Sequence, residues 1–303
     1  MSWRPDRLPS YDGRSVVVTG GNSGIGRYVA TGLALRGGRV TLACRNPEAG
    51  EEAARAIRAE GGAAVEVARL DLASLDSVRD FAQGWDRPLD LLVNNAGVMT
   101  PPRYRQTVDD HELQFGTNHL GHFALTGRLL PHLLAAPEPR VVTVSSIAHH
   151  RGRADVLEAN PRAGYQPERA YANSKLANLL FAAELARQSA LHGARLVSNA
   201  AHPGVAATNL VASEQGLGSL PGVKHLAPLF MPLLFQSAKR GAEPVLYAAA
   251  VAGPASYTGP QRLRESRGHA GPARLSRLAR DEALAGKLWA LSEELTGVGF
   301  AWP

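Results

Sequence analysis

The sequence predicts a single α/β domain built on a doubly wound parallel sheet. Strand-like and helix-like runs alternate along residues 15 to 201, and this alternation is typical of successive βαβ units. A glycine-rich turn directly follows the first strand, at residues 19 to 26. No segment with the composition of a linker interrupts the alternation, so all 303 residues are assigned to one domain.

Each predicted strand is a short apolar, β-branched run, and each predicted helix is a longer run between turn signals. The predicted strands are 15–19, 39–44, 64–70, 89–94, 140–145, 195–201 and 256–259. The predicted helices are 24–36, 48–60, 74–83, 108–134, 169–191 and 279–295. Residues 205–240 are predicted to be a variable excursion over the carboxyl edge of the sheet, and residues 261–303 a C-terminal tail.

The composition excludes several classes of protein. Apolar residues make up 45% and charged residues 20%, as in soluble globular proteins. The net charge is +6, but the arginines are scattered and not interleaved with aromatic residues, so nucleic-acid binding is not expected. The single cysteine, Cys44, excludes an intramolecular disulfide. Because the chain start has no apolar signal region and no stretch is long enough to span a bilayer, we expect a cytoplasmic protein without stable membrane insertion.

The turn after the first strand reads Thr19-Gly20-Gly21-Asn22-Ser23-Gly24-Ile25-Gly26. Glycine tolerates positive φ and lets the backbone approach a pyrophosphate closely. The helix that follows would direct free N–H groups and its positive dipole end at the same anion. The turn therefore predicts a Rossmann-type dinucleotide site, with contacts from Gly20, Asn22, Ser23, Gly24, Ile25 and Gly26.

The end of the second strand indicates which dinucleotide binds. An acidic residue there would bind the ribose 2′-hydroxyl of NAD. The strand instead ends in Ala43-Cys44-Arg45-Asn46, which contains no carboxylate. A guanidinium suits a 2′-phosphate, whereas the alternative interpretation is an arginine that merely faces solvent. Arg45 therefore predicts NADP(H), with NAD(H) as the alternative cofactor.

Tyr171 and Lys175 lie four residues apart in a predicted helix, which places them on one face. An ammonium beside a phenol favours the phenolate and lowers its pKa from about 10. A tyrosine tuned in this way can exchange a proton with an alcohol near neutral pH. The same spacing occurs by chance on surface helices, so it predicts catalysis only together with the rest of the pattern.

These residues resemble the short-chain dehydrogenase/reductase family, in its single-domain branch. Four further signals follow in the family's order: Asn94-Asn95-Ala96-Gly97 after the fourth strand, Asn118 in the long helix, Ser145-Ser146 after the fifth strand, and Pro203-Gly204 with Thr208 after the sixth. The match covers about residues 13 to 210. The sequence at 43–45, 117–123, 145–150 and 174–178 resembles the retinol-dehydrogenase-like subgroup.

The resemblance implies an oxidoreductase that interconverts an alcohol and an aldehyde or ketone. Tyr171 would be the general acid in reduction and the base in oxidation, and Lys175 would lower its pKa and hold the nicotinamide ribose. Ser146 would bond the substrate oxygen. Asn118 would hold a water linking Lys175 to solvent. The further cofactor contacts it implies are Asp71, Leu72, Asn94, Ala96, Gly97, Pro203, Gly204, Val205 and Thr208.

The serine assignment and the substrate pocket depend on the segment after the fifth strand. Ser146 is preferred because the family usually uses the second serine, and alternation along a strand lets only one of Ser145 and Ser146 face the site. An inserted loop, 148–168, lengthens the spacing from Ser146 to Tyr171. This loop and a lid formed by 205–240 are predicted to line the pocket for a lipophilic carbonyl or alcohol; the apolar run 226–235 is either part of that lid or a helix packed on the core.

The alternatives belong to other classes. A non-catalytic dinucleotide-sensing protein on the same fold would often lack the tyrosine or lysine, whereas this chain has Asn118, Ser146, Tyr171 and Lys175. His119 with His122, and His149 with His150, suggest zinc, but no third ligand is evident and no metal is predicted. The resemblance also implies a homodimer or tetramer, paired through the helices that carry Asn118 and Tyr171.

Overall fold

A computed structural model of the chain describes residues 3–204 and 236–303 and confirms the predicted fold class. Its strands are β1 Ser15–Thr19, β2 Arg39–Cys44, β3 Val65–Arg69, β4 Leu91–Asn94, β5 Arg140–Val144, β6 Val197–Ala201, β7 Tyr257–Arg262 and β8 Arg267–Pro272. They form one sheet in the order β3-β2-β1-β4-β5-β6-β7-β8. The first seven are parallel and β8 is antiparallel to β7, so the carboxyl ends of β1 to β7 share one edge.

Helices cover both faces of this sheet. They are α1 Gly24–Ala34, α2 Pro47–Ala59, α3 Leu75–Gln83, α4 Leu113–Phe115, α5 Gly121–Leu134, α6 Pro167–Leu191, α7 Ala238–Ala250 and α8 Glu282–Thr296. One core cluster joins α1, α2 and α7 to one face of the sheet, and a second joins α3 and α5 to the other face. This two-sided cover explains why β1, β2, β4 and β5 read as nearly continuous apolar runs in the sequence.

The long helix predicted over 108–134 starts later and is not uniform. It begins at Leu113, and a π-helical turn, Gly116–Leu120, joins α4 to α5. The start is fixed by Glu112, whose carboxylate accepts hydrogen bonds from the main-chain N–H groups of Gln114 and Phe115 at 3.0 and 2.8 Å. Asn118 lies within the π turn. Such turns are frequent at functional sites, and periodicity in the sequence does not reveal them.

Two elements, α7 and β8, were not predicted. The sequence of β8 contains glycine and proline, which favour a loop, but an edge strand tolerates both. The sequence of α7 contains Pro244, which also obscures a helix. Because α7 begins at Ala238, the predicted lid 205–240 overlaps its first turn. The rest of that lid, residues 205–235 with the apolar run 226–235, lies outside the described residues.

The C-terminal tail packs across the outer surface of α5 and α6. Trp289 on α8 contacts Phe181 on α6 and Phe123 on α5, with ring centroids 6.0 and 5.1 Å apart. Phe300 lies 5.0 Å from Phe123 and 4.4 Å from Trp289. Within α5 and α6, Leu191 in the last turn of α6 is the one large apolar side chain that is exposed. The helices through which the resemblance implies pairing are therefore covered from within the chain, and the oligomeric state stays a prediction.

Candidate active site

The glycine-rich turn between β1 and α1 has the geometry expected of an anion cradle. Gly20 and Gly24 have φ values of 63° and 53°, which only glycine adopts without strain. Ser23 is the N-cap of α1, and its side chain makes no capping hydrogen bond, so the first N–H groups of the helix are not capped by it. A Cβ on Gly26 would lie 2.5 Å from Asn95 Nδ2 and would collide with the Gly20 carbonyl. This close-packed turn fits a dinucleotide pyrophosphate.

Asn95 holds this turn in place, although the sequence analysis did not single it out. Its Nδ2 donates to the Thr19 carbonyl at 2.8 Å, and its main-chain N–H donates to Thr19 Oγ1 at 2.9 Å. The neighbouring Asn94 is also a predicted cofactor contact, and that contact stays a prediction. Asn94 is fully buried and its Nδ2 donates to Thr126 Oγ1 at 3.0 Å, so its side chain turns away from the cleft. Alternation at the end of β4 would have signalled that the two asparagines diverge.

Most of the other predicted cofactor residues lie at the same carboxyl edge. Arg45 is exposed and directly follows β2. Asp71 is half-buried and accepts from the Ala73 N–H at 3.0 Å. Leu72 is buried against Gly121 of α5, so its side chain is part of the core. Ala96 and Gly97 follow β4, Pro203 and Gly204 follow β6, and Val205 and Thr208 lie outside the described residues.

Asn118 is fully buried and its side chain makes three hydrogen bonds. Its Oδ1 accepts from the Val98 N–H at 2.7 Å, and its Nδ2 donates to the Val98 carbonyl at 3.0 Å and to Ser174 Oγ at 2.9 Å. Ser174 Oγ in turn donates to the Tyr171 carbonyl at 2.8 Å. Asn118 thus ties the loop after β4 to the first turns of α6. A Cβ on Gly97 would be only 2.9 Å from Asn118 Oδ1, so this approach requires glycine.

Ser146, Tyr171 and Lys175 come together beside Asn118. The Ser146 side chain lies near enough to the Tyr171 hydroxyl to lower the pKa of the phenol. Lys175 Nζ lies 5.7 Å from the centroid of the Tyr171 ring and donates to the Val144 carbonyl at 3.2 Å. Ser145 is buried and donates instead to the Lys175 carbonyl at 2.7 Å. The two serines therefore face different ways, and Ser146 is the one that faces Tyr171.

The electrostatics of this pair differ from the sequence-based expectation. Burial raises the pKa of the Tyr171 phenol, and the nearby Ser146 side chain opposes that rise. Burial also lowers the pKa of Lys175 to about 8. The expected lowering of the Tyr171 pKa by Lys175 is thus wrong for this structure, because desolvation of the phenol is the larger effect. Tyr171 is a protonated phenol at neutral pH.

Lys175 is buried, and we expect its ammonium, which the proposed chemistry needs, to lower the stability of the folded chain. The pKa of Lys175 in the folded chain, about 8, lies below its ordinary 10.5, so at pH 7 burial of the ammonium costs the folded state roughly 3 kcal/mol. Lys175→Met should therefore raise the free energy of unfolding at pH 7 by about 1–3 kcal/mol while suppressing turnover. The Val144 carbonyl would keep its bond from Asn178 Nδ2, at 3.0 Å.

The measurement is urea unfolding at pH 7 and near pH 10. The advantage of the Met variant should shrink as the pH rises from about 8 to 10.5, because the lysine in the folded wild type loses its charge in that window. Lys287→Met, at an exposed position of α8, is the matched control and should change stability by less than about 0.5 kcal/mol. A Lys175→Met variant less stable than wild type at pH 7 would show that the ammonium is not a burden on the fold.

The rings of His149 and His119, which the sequence offered as metal ligands, make hydrogen bonds within the chain. His149 is buried, its Nδ1 donates to the Ser146 carbonyl at 2.7 Å, and its Nε2 accepts from the Ser276 N–H at 3.2 Å. His119 Nε2 lies 2.8 Å from Ser292 Oγ. Across residues 3–204 and 236–303, no group of three or more side chains is placed to hold a metal ion. His149 thus holds the main chain at Ser146, a contact that the sequence pattern does not reveal.

The inserted loop, 148–168, is fastened to the start of the helix that carries Asn118. Glu112 is buried, and besides its two main-chain donors its carboxylate accepts from Tyr165 Oη at 3.1 Å and Asn160 Nδ2 at 3.0 Å. Tyr165 and Asn160 both belong to the insertion. Four hydrogen bonds thus satisfy a buried carboxylate and hold the insertion against α4.

Comparison with known proteins extends this picture. A family model described as short chain dehydrogenase matches residues 14–216. Retinol dehydrogenase 13 of Homo sapiens is 42% identical over 291 residues, which cover 94% of this chain and 85% of that protein. A crystal structure of an uncharacterized protein from Mycobacterium Paratuberculosis has a TM-score of 0.82 and 43% identity, covering 99% of this chain and 100% of that one. A short chain dehydrogenase from Shigella flexneri 2a str. 301, complexed with NADP, has a TM-score of 0.60 and 26% identity, covering 80% and 94%.

Proposed function

The chain belongs to the short-chain dehydrogenase family, in its retinol-dehydrogenase-like group, and from that premise we propose that it reduces an apolar aldehyde or ketone, or oxidises the matching alcohol, with NADP(H). Membership of the family makes it an oxidoreductase that acts on CH–OH groups. The observation that carries the finer proposal is the meeting of Ser146, Tyr171 and Lys175 beside Asn118, at the edge where the glycine-rich turn opens.

The residues present fit a nicotinamide dinucleotide. The turn at Gly20, Gly24 and Gly26 would receive the pyrophosphate, and Lys175 would face the nicotinamide ribose. The bound cofactor supplies the hydride in reduction and accepts it in oxidation. Addition of a hydride to the carbonyl carbon would leave negative charge on the carbonyl oxygen. The side chains of the site would have to stabilise that charge and supply a proton to the oxygen.

Tyr171 and Ser146 are the groups that meet this oxygen. The Ser146 hydroxyl donates a hydrogen bond to it and stabilises the developing charge. The Tyr171 hydroxyl transfers its proton to the same oxygen, which completes the alcohol, and in oxidation the proton moves back. The raised pKa of Tyr171 keeps the phenol protonated at neutral pH and so ready to donate. Loss of the proton leaves a phenolate whose charge the neighbouring Lys175 ammonium can offset.

Arg45 supports NADP(H) over NAD(H), because its guanidinium is exposed where the adenosine ribose would lie. We expect Arg45→Asp to raise the KM for NADPH by about 10- to 100-fold, since a charge-assisted bond to a phosphate is replaced by repulsion. The KM for NADH should stay within about threefold, because NADH carries no 2′-phosphate. Steady-state kinetics with both cofactors measure the two effects.

Arg69 provides the matched control for that experiment. It is also an exposed arginine, at the end of the neighbouring strand β3, so Arg69→Asp makes the same change of net charge. We expect the Arg69 variant to leave both KM values nearly unchanged. Equal losses for NADPH and NADH in Arg45→Asp would reject its role in cofactor choice.

The preference for an apolar substrate is supported by the name of the human relative, a retinol dehydrogenase. Incubation with NADPH and a panel of apolar aldehydes and ketones, followed as loss of NADPH absorbance, tests the proposal. Saturable NADPH binding without turnover of any member would favour a dinucleotide-sensing protein instead. No helix within the described ranges, 3–204 and 236–303, is long and apolar enough to cross a membrane, and the cytoplasmic location stays a prediction.

A further inference from the structure

His122, the second residue of α5, joins the two halves of the site. Its Nε2 lies 2.9 Å from Thr19 Oγ1, at the end of β1, and its Nδ1 lies 2.9 Å from the Asn118 main-chain carbonyl. All three residues are buried. We propose that His122 is a positioning residue that couples the glycine-rich cofactor turn to the π turn of Asn118. This inference rests on the proposed function for its catalytic consequence, but its structural part is independent of turnover.

The partners fix the tautomer of the ring. A main-chain carbonyl only accepts, so Nδ1 must carry the proton and donate to Asn118. Nε2 of the neutral ring is then an acceptor, and the single Thr19 hydroxyl proton goes to it at 2.9 Å in preference to the Val93 carbonyl at 3.3 Å. Burial, with a smaller effect of the nearby Lys175 charge, lowers the pKa of His122 to about 4 although the hydrogen bond to Asn118 opposes that fall, so the ring is neutral at pH 7. One neutral tautomer satisfies both ring nitrogens.

Each end of this bridge holds a part of the site. On one side, Thr19 Oγ1 also accepts from the N–H groups of Asn95 and Ala96, at 2.9 and 3.0 Å. Asn95 in turn holds the glycine-rich turn. A loss of the Thr19 bond would therefore loosen the cradle for the cofactor pyrophosphate.

On the other side, the Asn118 side chain is already occupied by Val98 and Ser174. The bond from His122 gives the Asn118 main-chain carbonyl a side-chain donor within the π turn. A change at this end would move Asn118 and, through Ser174, the start of α6 near Tyr171. We therefore expect loss of the Nε2 bond to weaken cofactor binding and loss of the Nδ1 bond to slow turnover.

Two substitutions separate the two ends. The amide of Asn reaches the place of Nδ1, so His122→Asn keeps a donor for the Asn118 carbonyl and loses the Thr19 bond. The amide of Gln reaches the place of Nε2, so His122→Gln keeps an acceptor for Thr19 and loses the Asn118 bond. We expect the Asn variant to raise the NADPH Kd about tenfold with kcat nearly unchanged, and the Gln variant to lower kcat about tenfold with Kd nearly unchanged.

His119 offers a matched control in the same stretch of helix. It is equally buried, but its Nε2 meets Ser292 Oγ, whose hydroxyl donates to the Leu288 carbonyl at 2.7 Å. His119 therefore carries its proton on Nε2, the opposite tautomer. His119→Asn and His119→Gln should lower thermal stability without changing the NADPH Kd or kcat.

The experiment combines NADPH titration by fluorescence, steady-state kinetics and nitrogen NMR of the histidine rings without cofactor. The proposal requires the Nδ1–H tautomer at His122, the Nε2–H tautomer at His119, and the opposite split of Kd and kcat between His122→Asn and His122→Gln. An Nε2–H tautomer at His122, or two His122 variants that change the same quantity equally, would overturn it. If no carbonyl substrate were found, the tautomers and the NADPH Kd would still decide the structural part, while the proposed function alone would fail.

Discussion

Tyr171→Phe should lower kcat by about a thousandfold, since general acid–base catalysis contributes roughly 10²–10⁴. The Phe ring keeps the packing of the phenol and removes only the hydroxyl. The NADPH Kd should therefore stay within about twofold of wild type. Assays with a carbonyl compound that the wild type reduces measure kcat, and fluorescence titration with NADPH measures the Kd.

Tyr28→Phe is the control, because Tyr28 is exposed on α1 and its substitution also removes one phenol hydroxyl, away from the site. It should keep wild-type kcat and Kd. Equal turnover by Tyr171→Phe and wild type would reject Tyr171 as the acid, and attention would then move to Ser146. A Tyr171 variant that lost NADPH binding as well would show that the hydroxyl holds the cofactor and not only the proton.

Gly26→Ala should abolish measurable NADPH binding and destabilise the fold by about 1–3 kcal/mol, as overpacking of a closed site does. The new Cβ would collide with the main-chain carbonyl of Gly20, which cannot rotate away as a side chain could. It would also lie 2.5 Å from Asn95 Nδ2, the group that holds the turn. NADPH titration and urea unfolding of the same preparation report the two losses.

Gly286→Ala is the matched change in another helix. Gly286 lies inside α8, and a Cβ there would meet nothing within 4 Å. Alanine should therefore raise the free energy of unfolding by about 0.5–1 kcal/mol through helix propensity, with NADPH binding unchanged. If Gly26→Ala behaved like Gly286→Ala, the turn would be able to relax and close packing would not explain the glycine.

The sequence predicted the central sheet well because its buried parallel strands are short apolar runs between recognisable turns. The elements it missed break that rule. In α7, Pro244 interrupts a helical pattern, and β8 pairs at the edge of the sheet through a segment with two glycines. Their structure is decided by packing against distant parts of the chain, which local propensity does not record.

The same distinction applies to the site. Tyr171 and Lys175 lie four residues apart on one helix, so their spacing indicated them, whereas Ser146 was indicated by the family resemblance. Asn95 and His122 act through Thr19, more than 70 residues away in the chain. The balance of burial against charge at Tyr171 depends on how completely the fold closes around the phenol, and residue spacing contains no measure of that.

The aromatic brace formed by Trp289 and Phe300 has a further consequence for how the site is held together. In enzymes whose active-site helices are supported by a second copy, dilution removes the support by mass action. Here the support that α8 and Phe300 give to α5 and α6 is part of the same chain. These aromatic contacts of α5 and α6 consequently do not depend on the concentration of the protein.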